Sequence, residues 1–291
     1  MHSSRYALGT AQFGLPYGVA NKRGQVSCDE VAAILNRAWA SGIDSLDTAI
    51  AYGESEQRLG DIGVRQWRVV TKLPALPSSC DDVSSWAHQA VMGSLARLKI
   101  DRLCGLLLHR PTQLLGPQGA VLQTALLALK NQGLVEKIGI SIYDPAELDA
   151  VWPSFQPDMV QAPLNVLDRR LRTSGWLRRM HNAGTEVHIR SVFLQGLLLM
   201  NDASRPARFN RWQPLWDLWH RWLTDKALSP LQACIGFALS QSEVARVVVG
   251  VDSLAQFEEI LGMIHKPILD LPPELVCVDP ALVDPSRWEL Q

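Results

Sequence analysis

Residues 103–109 read LCGLLLH, an unbroken stretch of apolar and small residues that closes on a histidine. It is too short for a typical buried helix, and it does not alternate as a half-solvated strand would. A segment apolar on both faces is the mark of a strand in a parallel sheet covered by helices. Upstream, Asp81–Lys99 carries Val83, Trp86, Ala87, Ala90, Val91, Leu95 and Leu98 at helical spacing, and downstream Leu122–Gln132 is helical again. A buried strand between two amphipathic helices is the unit from which the rest can be read.

The unit recurs in both directions. Toward the N-terminus, strands are predicted at Trp67–Lys72, Ile43–Asp47 and Ala7–Phe13, the last with Gly9-Thr10 at its end, and a helix begins near Glu56. Ser27 and Glu30 form a capping box for a helix with Val31, Ile34, Leu35, Ala38 and Trp39 on one face, stopping at Gly42. Toward the C-terminus, strands Ile138–Ile142, Met159–Ala162, Glu186–Val192 and Val244–Val249 alternate with helices Pro145–Trp152, Ser174–Ala183 and Leu254–Ile264. Arg211–Lys226 sets Trp212, Leu215, Trp216, Trp219, Trp222 and Leu223 on one face of an extra helix, and Ser229-Pro230 with Gln232 restarts the regular one. Eight strand-then-helix units predict a closed parallel (β/α)8 TIM barrel, one domain over 1–291, with a proline-rich tail from Lys266 lacking regular structure. A doubly wound open sheet is the alternative, but no GxGxxG follows any strand.

Composition narrows the partner. With 47% hydrophobic and 20% charged residues the chain reads as ordinary globular protein, and a net charge of −1 supplies no field for nucleic acid or an anionic membrane. The N-terminus MHSSRYALGT has no apolar signal segment, and no stretch reaches the roughly 18 apolar residues of a membrane span. Cys28, Cys80, Cys104, Cys234 and Cys277 are scattered without a CxxC pair, as expected of reduced thiols in a cytoplasmic protein with no disulfide framework and no metal site. These features point to a small-molecule partner.

The predicted strand ends carry Thr10, Asp47, Lys72, His109, Ser141, Gln161, Ser191 and Gly250, and in such a barrel those ends converge on one mouth. Within residues 45–60, SLDTAIAYGESEQRLG, Tyr52 follows Asp47 by five positions. Taken alone, Asp47 reads as a cap and Tyr52 as a crevice filler. With Lys72 and His109 on neighbouring strand ends, the four read as an acid/base set.

These segments resemble a known family, the aldo-keto reductases. DTAIAYGESEQRLG is similar to its Asp-Thr-Ala-x-x-Tyr-Gly-x-Ser-Glu signature, and VVTKL at Lys72 and LLLHRP at His109 are similar to its other catalytic segments. GISIYDP, VQAPLNVLDRR and SVFLQGLL resemble its cofactor-site segments in order, so the likeness runs from Ala7 to Ile264. The resemblance implies the barrel fold and NAD(P)H-dependent reduction of an aldehyde or ketone. Tyr52 would protonate the oxygen as hydride reaches the carbon. A phenol of pKa about 10 is a poor proton donor near neutrality, so Lys72 is expected to lower it. Asp47 would hold the lysine, and His109 would orient the carbonyl.

For the cofactor, the resemblance implies Ser141 and Gln161 at the carboxamide, with Gly9, Thr10 and Asp47 lining the site. Ser191, Phe193, Gln195, Gly196 and Leu197 would cross the pyrophosphate. Gly250, Asp252, Ser253, Gln256 and Glu259 would hold the adenosine end, where the spacing of Ser253 and Gln256 makes a capped helix N-terminus. Three positions depart from the family pattern. Ile142 stands where Asn usually follows the carboxamide serine, and Arg190 where an aromatic residue usually stacks on the nicotinamide. Asp252 stands where many members place Arg or Lys against the 2′-phosphate of NADP, which implies weak discrimination or an NADH preference.

The altered contacts at Ile142 and Arg190 keep open a non-redox sugar isomerase, epimerase or lyase on the same barrel, and a non-catalytic regulatory subunit is the third reading. Arg110, Arg169, Arg170 and Arg190 follow strand ends, where an anionic or sugar-phosphate substrate could meet some of them, although the pair Arg169-Arg170 reads first as a solvated surface. The chain as a whole is similar to members associated with bacterial polysaccharide and sugar metabolism, which implies a sugar or nucleotide-sugar carbonyl.

Overall fold

The apolar runs become eight parallel strands that close on one another in sequence order: β1 (Tyr6–Gly9), β2 (Ser45–Asp47), β3 (Arg68–Leu73), β4 (Leu103–Leu108), β5 (Val135–Ser141), β6 (Met159–Pro163), β7 (Glu186–Arg190) and β8 (Arg246–Gly250). The computed structural model describes residues 5–263 and 270–288. Leu8 of β1 registers with Leu46 of β2 on one side and Val249 of β8 on the other, which closes the barrel. Every residue of β4 is buried, as the unbroken apolar run requires.

The helices between strands are α1 (Cys28–Ala40), α2 (Ser55–Ile62), α3 (Val83–Leu98), α4 (Gly119–Asn131), α5 (Ala146–Val151) and α6 (Trp176–Asn182). After β7 come α7 (Gln213–Asp225) and α8 (Pro230–Leu239), and α9 (Leu254–Gly262) follows β8. The apolar core has two parts. The larger lies between barrel and helices, and a small one of Val70, Leu107 and Met159 plugs the barrel interior. Gly105 makes room for the plug, since a Cβ there would stand 3.3 Å from both Met159 and Val70 side chains. α7 is the predicted tryptophan helix: Trp216 and Trp219 are fully buried, and Trp219 Nε1 donates to Leu198 O at 3.2 Å, which ties the helix to the loop after β7.

Four local expectations change. Residues 11–14 form a helical turn instead of prolonging β1, because the Thr10 N–H and hydroxyl both donate to Asp47 O and end the ladder. Ser27 caps α1 as predicted, but the Glu30 carboxylate accepts from Leu254 N and not from the cap. Trp39, placed on the buried face by periodicity, is 44% exposed at the edge of the stripe and packs on Trp67 with ring centroids 5.2 Å apart. The described part of the proline-rich tail folds into single turns at Pro273–Leu275, Pro280–Val283 and Pro285–Arg287, the last two capped by Asp279 and Asp284. Residues 266–269 and the predicted helix end at Ile264 lie outside the described residues.

Candidate active site

The ends of β2 and β3 bring two opposite charges together under the mouth of the barrel. Lys72 Nζ donates to Asp47 Oδ1 at 2.9 Å, to Asp47 Oδ2 at 2.8 Å and to Thr48 O at 2.8 Å, so all three of its protons are placed. Both side chains are buried, with 1% and 6% exposure. Burial lowers the lysine pKa and Asp47 works against that shift. Gln161 Nε2, from β6, donates to Asp47 Oδ1 at 2.6 Å, and Ser141 Oγ, from β5, donates to Gln161 Oε1 at 3.4 Å. The result is one hydrogen-bonded chain from β5 across to β3.

Tyr52 is set above this pair by a loop with little freedom. A Cβ on Gly14 would lie 1.8 Å from Tyr52 O, and Gly53 takes φ +54, so both glycines are needed for the turn. Ser55 Oγ donates to Thr10 Oγ1 at 2.8 Å, and buried Glu56 accepts from Thr71 Oγ1 at 2.6 Å and from Arg97 Nε at 2.8 Å. The Ser-Glu of the motif therefore fastens α2 to β1, β3 and α3, and so fixes the tyrosine it follows. Lys72 Nζ stands 4.9 Å from the Tyr52 ring centroid, and His109 meets the ring edge-on at 6.2 Å.

The expectation that Lys72 lowers the tyrosine pKa is corrected. Burial and then the Asp47 charge push the phenol up, with Arg190 acting against them. The physical reason is that Lys72 faces the ring and spends its protons on Asp47 and Thr48, so the phenol stays protonated at neutral pH. His109 is lowered to about 4, by burial first and then by Lys72 and Arg190, and is therefore a neutral imidazole at pH 7.

Beyond β7, Ser191, Leu194 and Gln195 take φ of 59, 47 and 54, a left-handed run of non-glycine residues. Such conformations cost on the order of 1 kcal/mol each and persist where surroundings impose them. Here Leu194, Leu197 and Leu198 are buried beneath the loop, and Asn165 Nδ2 donates to Ser191 O at 3.0 Å. Gln195 Nε2 donates to Tyr17 Oη at 3.1 Å, and Ala20 N donates to Gln195 O at 3.3 Å, so the loop also touches the segment after β1. At α9, Ser253 Oγ accepts from Gln256 N, while Gln256 Oε1 accepts from Asp252 N at 2.8 Å, one residue earlier than a capping box requires. Asp252 Oδ1 and Gln195 Oε1 are buried and have no hydrogen-bond partner.

A cleft of about 310 Å3 joins these parts. Of the predicted site residues, Gly9, Thr10, Asp47, Tyr52, His109, Ser141, Gln161, Arg190, Ser191, Phe193, Gln195, Gly196, Gly250, Asp252, Gln256 and Glu259 line it. Lys72 lies beneath the lining. Leu197 belongs to the apolar core and Ser253 caps α9, so those two expected cofactor contacts are not brought to the cleft. Gln12, Tyr17, Asn21 and Tyr143 line it without having been singled out by sequence. Tyr143 follows Ser141 by two positions, and an aromatic residue just past a strand end was the available signal.

Arg190 sits in the lining with one guanidinium nitrogen on Ile142 O at 2.9 Å and Cζ 4.3 Å from the Tyr143 ring centroid. Ile142 itself is fully buried in the core. Arg169 and Arg170 are structural. Arg170 binds Asp168 and Asp144, and Arg169 donates to Val166 O and Pro272 O. Arg110 is exposed and precedes the turn Pro111–Leu115. Among the described residues, no group of three or more His, Cys, Asp or Glu is placed to hold a metal ion, and no helix is long and apolar enough to cross a membrane.

Comparison with known proteins adds three findings. The model of the aldo/keto reductase family matches residues 6–270. A D-threo-aldose 1-dehydrogenase from a Pseudomonas species is 30% identical over 297 residues, 87% of this chain and 89% of that protein. Among solved structures, an aldo-keto reductase from Bacillus halodurans in its holo form matches with a TM-score of 0.72 at 20% identity, over 91% of this chain and 88% of that one. A Pseudomonas aeruginosa structure matches with a TM-score of 0.66 at 23% identity, over 90% and 89%. At those identities the two structures speak for the fold.

Proposed function

The chain belongs to the aldo/keto reductase family, and on that premise we propose that it reduces the carbonyl of a sugar or nucleotide-sugar with NADH, Tyr52 being the proton donor. Membership makes it an oxidoreductase that acts on carbonyl compounds with NAD(P)H, which displaces the reading as a non-catalytic subunit. The observation that carries the proposal is the placement of a protonated Tyr52 and a neutral His109 over the buried Asp47–Lys72 pair at one end of the cleft. The sugar substrate is supported by the aldose dehydrogenase relative.

The residues present fit a nicotinamide dinucleotide. Unpartnered Asp252 Oδ1 and Gln195 Oε1 are acceptors awaiting donors, and beside them the Gln12 amide packs over Gly250, in the place a Cβ would take, 2.7 Å away. When bound, the nicotinamide supplies the hydride. Ser141 and Gln161 would hold its carboxamide, Ser191, Phe193, Gln195 and Gly196 would hold the pyrophosphate, and Asp252, Gln256 and Glu259 would hold the adenosine ribose. A carboxylate at 252 accepts from a ribose hydroxyl and repels a 2′-phosphate, which selects NADH.

At the reacting end, neutral His109 donates a hydrogen bond to the carbonyl oxygen and sets its angle. As hydride reaches the carbon, the Tyr52 hydroxyl proton passes to the oxygen and the alcohol forms. The phenolate left behind is reprotonated from solvent, while Asp47 holds Lys72 in place beneath the ring. Fluorescence titration of the protein with NADH and NADPH, followed by turnover of D-threo-aldoses, tests the proposal. We expect tighter NADH binding and a fall in kcat of about 10²- to 10⁴-fold in Tyr52→Phe. Undiminished turnover in that variant would remove Tyr52 as the acid, and equal or tighter NADPH binding would remove the role given to Asp252.

A further inference from the structure

At the reacting end of the cleft the charges do not cancel. Asp47 and Lys72 neutralise each other, and His109 and Tyr52 carry no charge at pH 7. Arg190 is left over. Its guanidinium lines the cleft, held in place by Ile142 O, Ser191 Oγ and the Tyr143 face, and no carboxylate among the described residues lies within ion-pair distance of it. All of its partners are neutral, so they orient the fork without satisfying the charge.

Its position in the cleft distinguishes between the possible anions. The hydrogen bond to Ile142 O sets Arg190 beside Ser141, at the start of the chain that runs through Gln161 to Asp47; its charge is felt by Tyr52, His109 and Lys72, and by Tyr17, whereas the cation felt by Asp252 is Arg23. Arg190 therefore belongs to the end where the carbonyl reacts. We infer that Arg190, stacked on Tyr143, is a specificity-determining subsite for an anionic group of the substrate, a carboxylate or a phosphate monoester near the reacting carbonyl. This deepens the reading of the protein as a carbonyl reductase and rests on it. A guanidinium fork pairs bidentately with either anion, in a charge-assisted geometry that a neutral substrate cannot use.

The test compares substrates that differ only in that group. With the full chain and saturating NADH, 4-carboxybenzaldehyde is set against methyl 4-formylbenzoate, and glyceraldehyde 3-phosphate against glyceraldehyde. We expect at least one anionic member to be favoured about 10-fold or more in kcat/KM, mainly through KM, as for binding shared by ground and transition states. The pair that shows the preference tells carboxylate from phosphate. In Arg190→Gln the ratio should fall to about one, and Arg190→Lys, a point charge without the fork, should retain part of it. A native ratio near one in both pairs, or a preference that survives Arg190→Gln in a variant with the native circular dichroism spectrum, overturns the inference.

Calorimetric titration with benzoate and with inorganic phosphate, with and without NADH, supplies a readout independent of turnover. Binding that Arg190→Gln abolishes supports the subsite even if no aldehyde is reduced, an outcome that would count against the reductase reading alone. Binding to neither anion, or equal binding to native protein and variant, overturns the subsite while leaving the reductase reading standing.

Discussion

At the deep end of the cleft Asp47 accepts from Lys72 and Gln161, and every Lys72 proton has an acceptor, whereas at the rim Asp252 Oδ1 and Gln195 Oε1 are buried and accept from nothing. A buried acceptor left unpaired costs about 1–3 kcal/mol, so the two ends differ in what they lack. The Asp47–Lys72 network at the deep end is fully hydrogen-bonded without a ligand. The rim is incomplete, and a ligand bringing hydroxyl donors would complete it. On the proposed reading, reaction belongs to the first end and cofactor recognition to the second, and substitutions at the two ends should act in opposite directions.

The largest effect belongs to Lys72→Met. It leaves the Asp47 carboxylate buried with Gln161 as its remaining side-chain donor, and removing one partner of a buried pair costs about 3–5 kcal/mol. Denaturant unfolding should show that loss, and the double variant Asp47→Asn with Lys72→Met should recover much of it because no charge is then left buried. A stability unchanged in Lys72→Met would mean that the deep end is not a closed network.

At the rim the expected change is smaller and of opposite sign. Asp252→Asn removes a carboxylate whose oxygen has no partner and whose pKa burial raises, so stability should hold or rise slightly. Asp252→Arg should tighten NADPH about 10- to 100-fold in a fluorescence titration, the range of a hydrogen bond to a charged group. No change in the ratio of NADPH to NADH binding would separate residue 252 from the ribose.

This asymmetry explains how far the sequence could be read. Buried strands announce themselves, since an apolar run such as Leu103–Leu108 admits few structures, and the strand ends then give Asp47, Lys72 and His109 with no further information. Tyr52 came from its motif and proved to be held by the neighbouring Ser55 and Glu56, which the motif also contains. Loops carry no period, so Gln12, Tyr17 and Asn21 could not be found, and Leu197 and Ser253 could not be told from their cleft-facing neighbours. Nor can a sequence weigh burial against charge. Lys72 lies close to Tyr52, yet burial and Asp47 decide the tyrosine's protonation. Arg170 and Arg190 look alike in the sequence, and only the carboxylates of Asp144 and Asp168 beside Arg170 show which is structural.

Acid should separate the two ends most finely. His109 titrates at about 4 in the folded protein and near 6.5 unfolded. Between those values the unfolded chain takes up the proton first, so stability falls as pH drops, by about 1 kcal/mol from pH 7 to 5.5 and about 3 kcal/mol in full below pH 4. Asp252 has the opposite sign. Its folded pKa is raised, so the folded state takes up the proton first and stability rises as pH falls through that raised value toward the unfolded one. Denaturant unfolding at pH 7, 5.5 and 4.5 should therefore show the acid loss diminished in His109→Gln and deepened in Asp252→Asn. If the two variants shift the profile in the same direction, the ends do not differ in the way their hydrogen bonding implies, and the division between a closed reacting end and an open binding end fails.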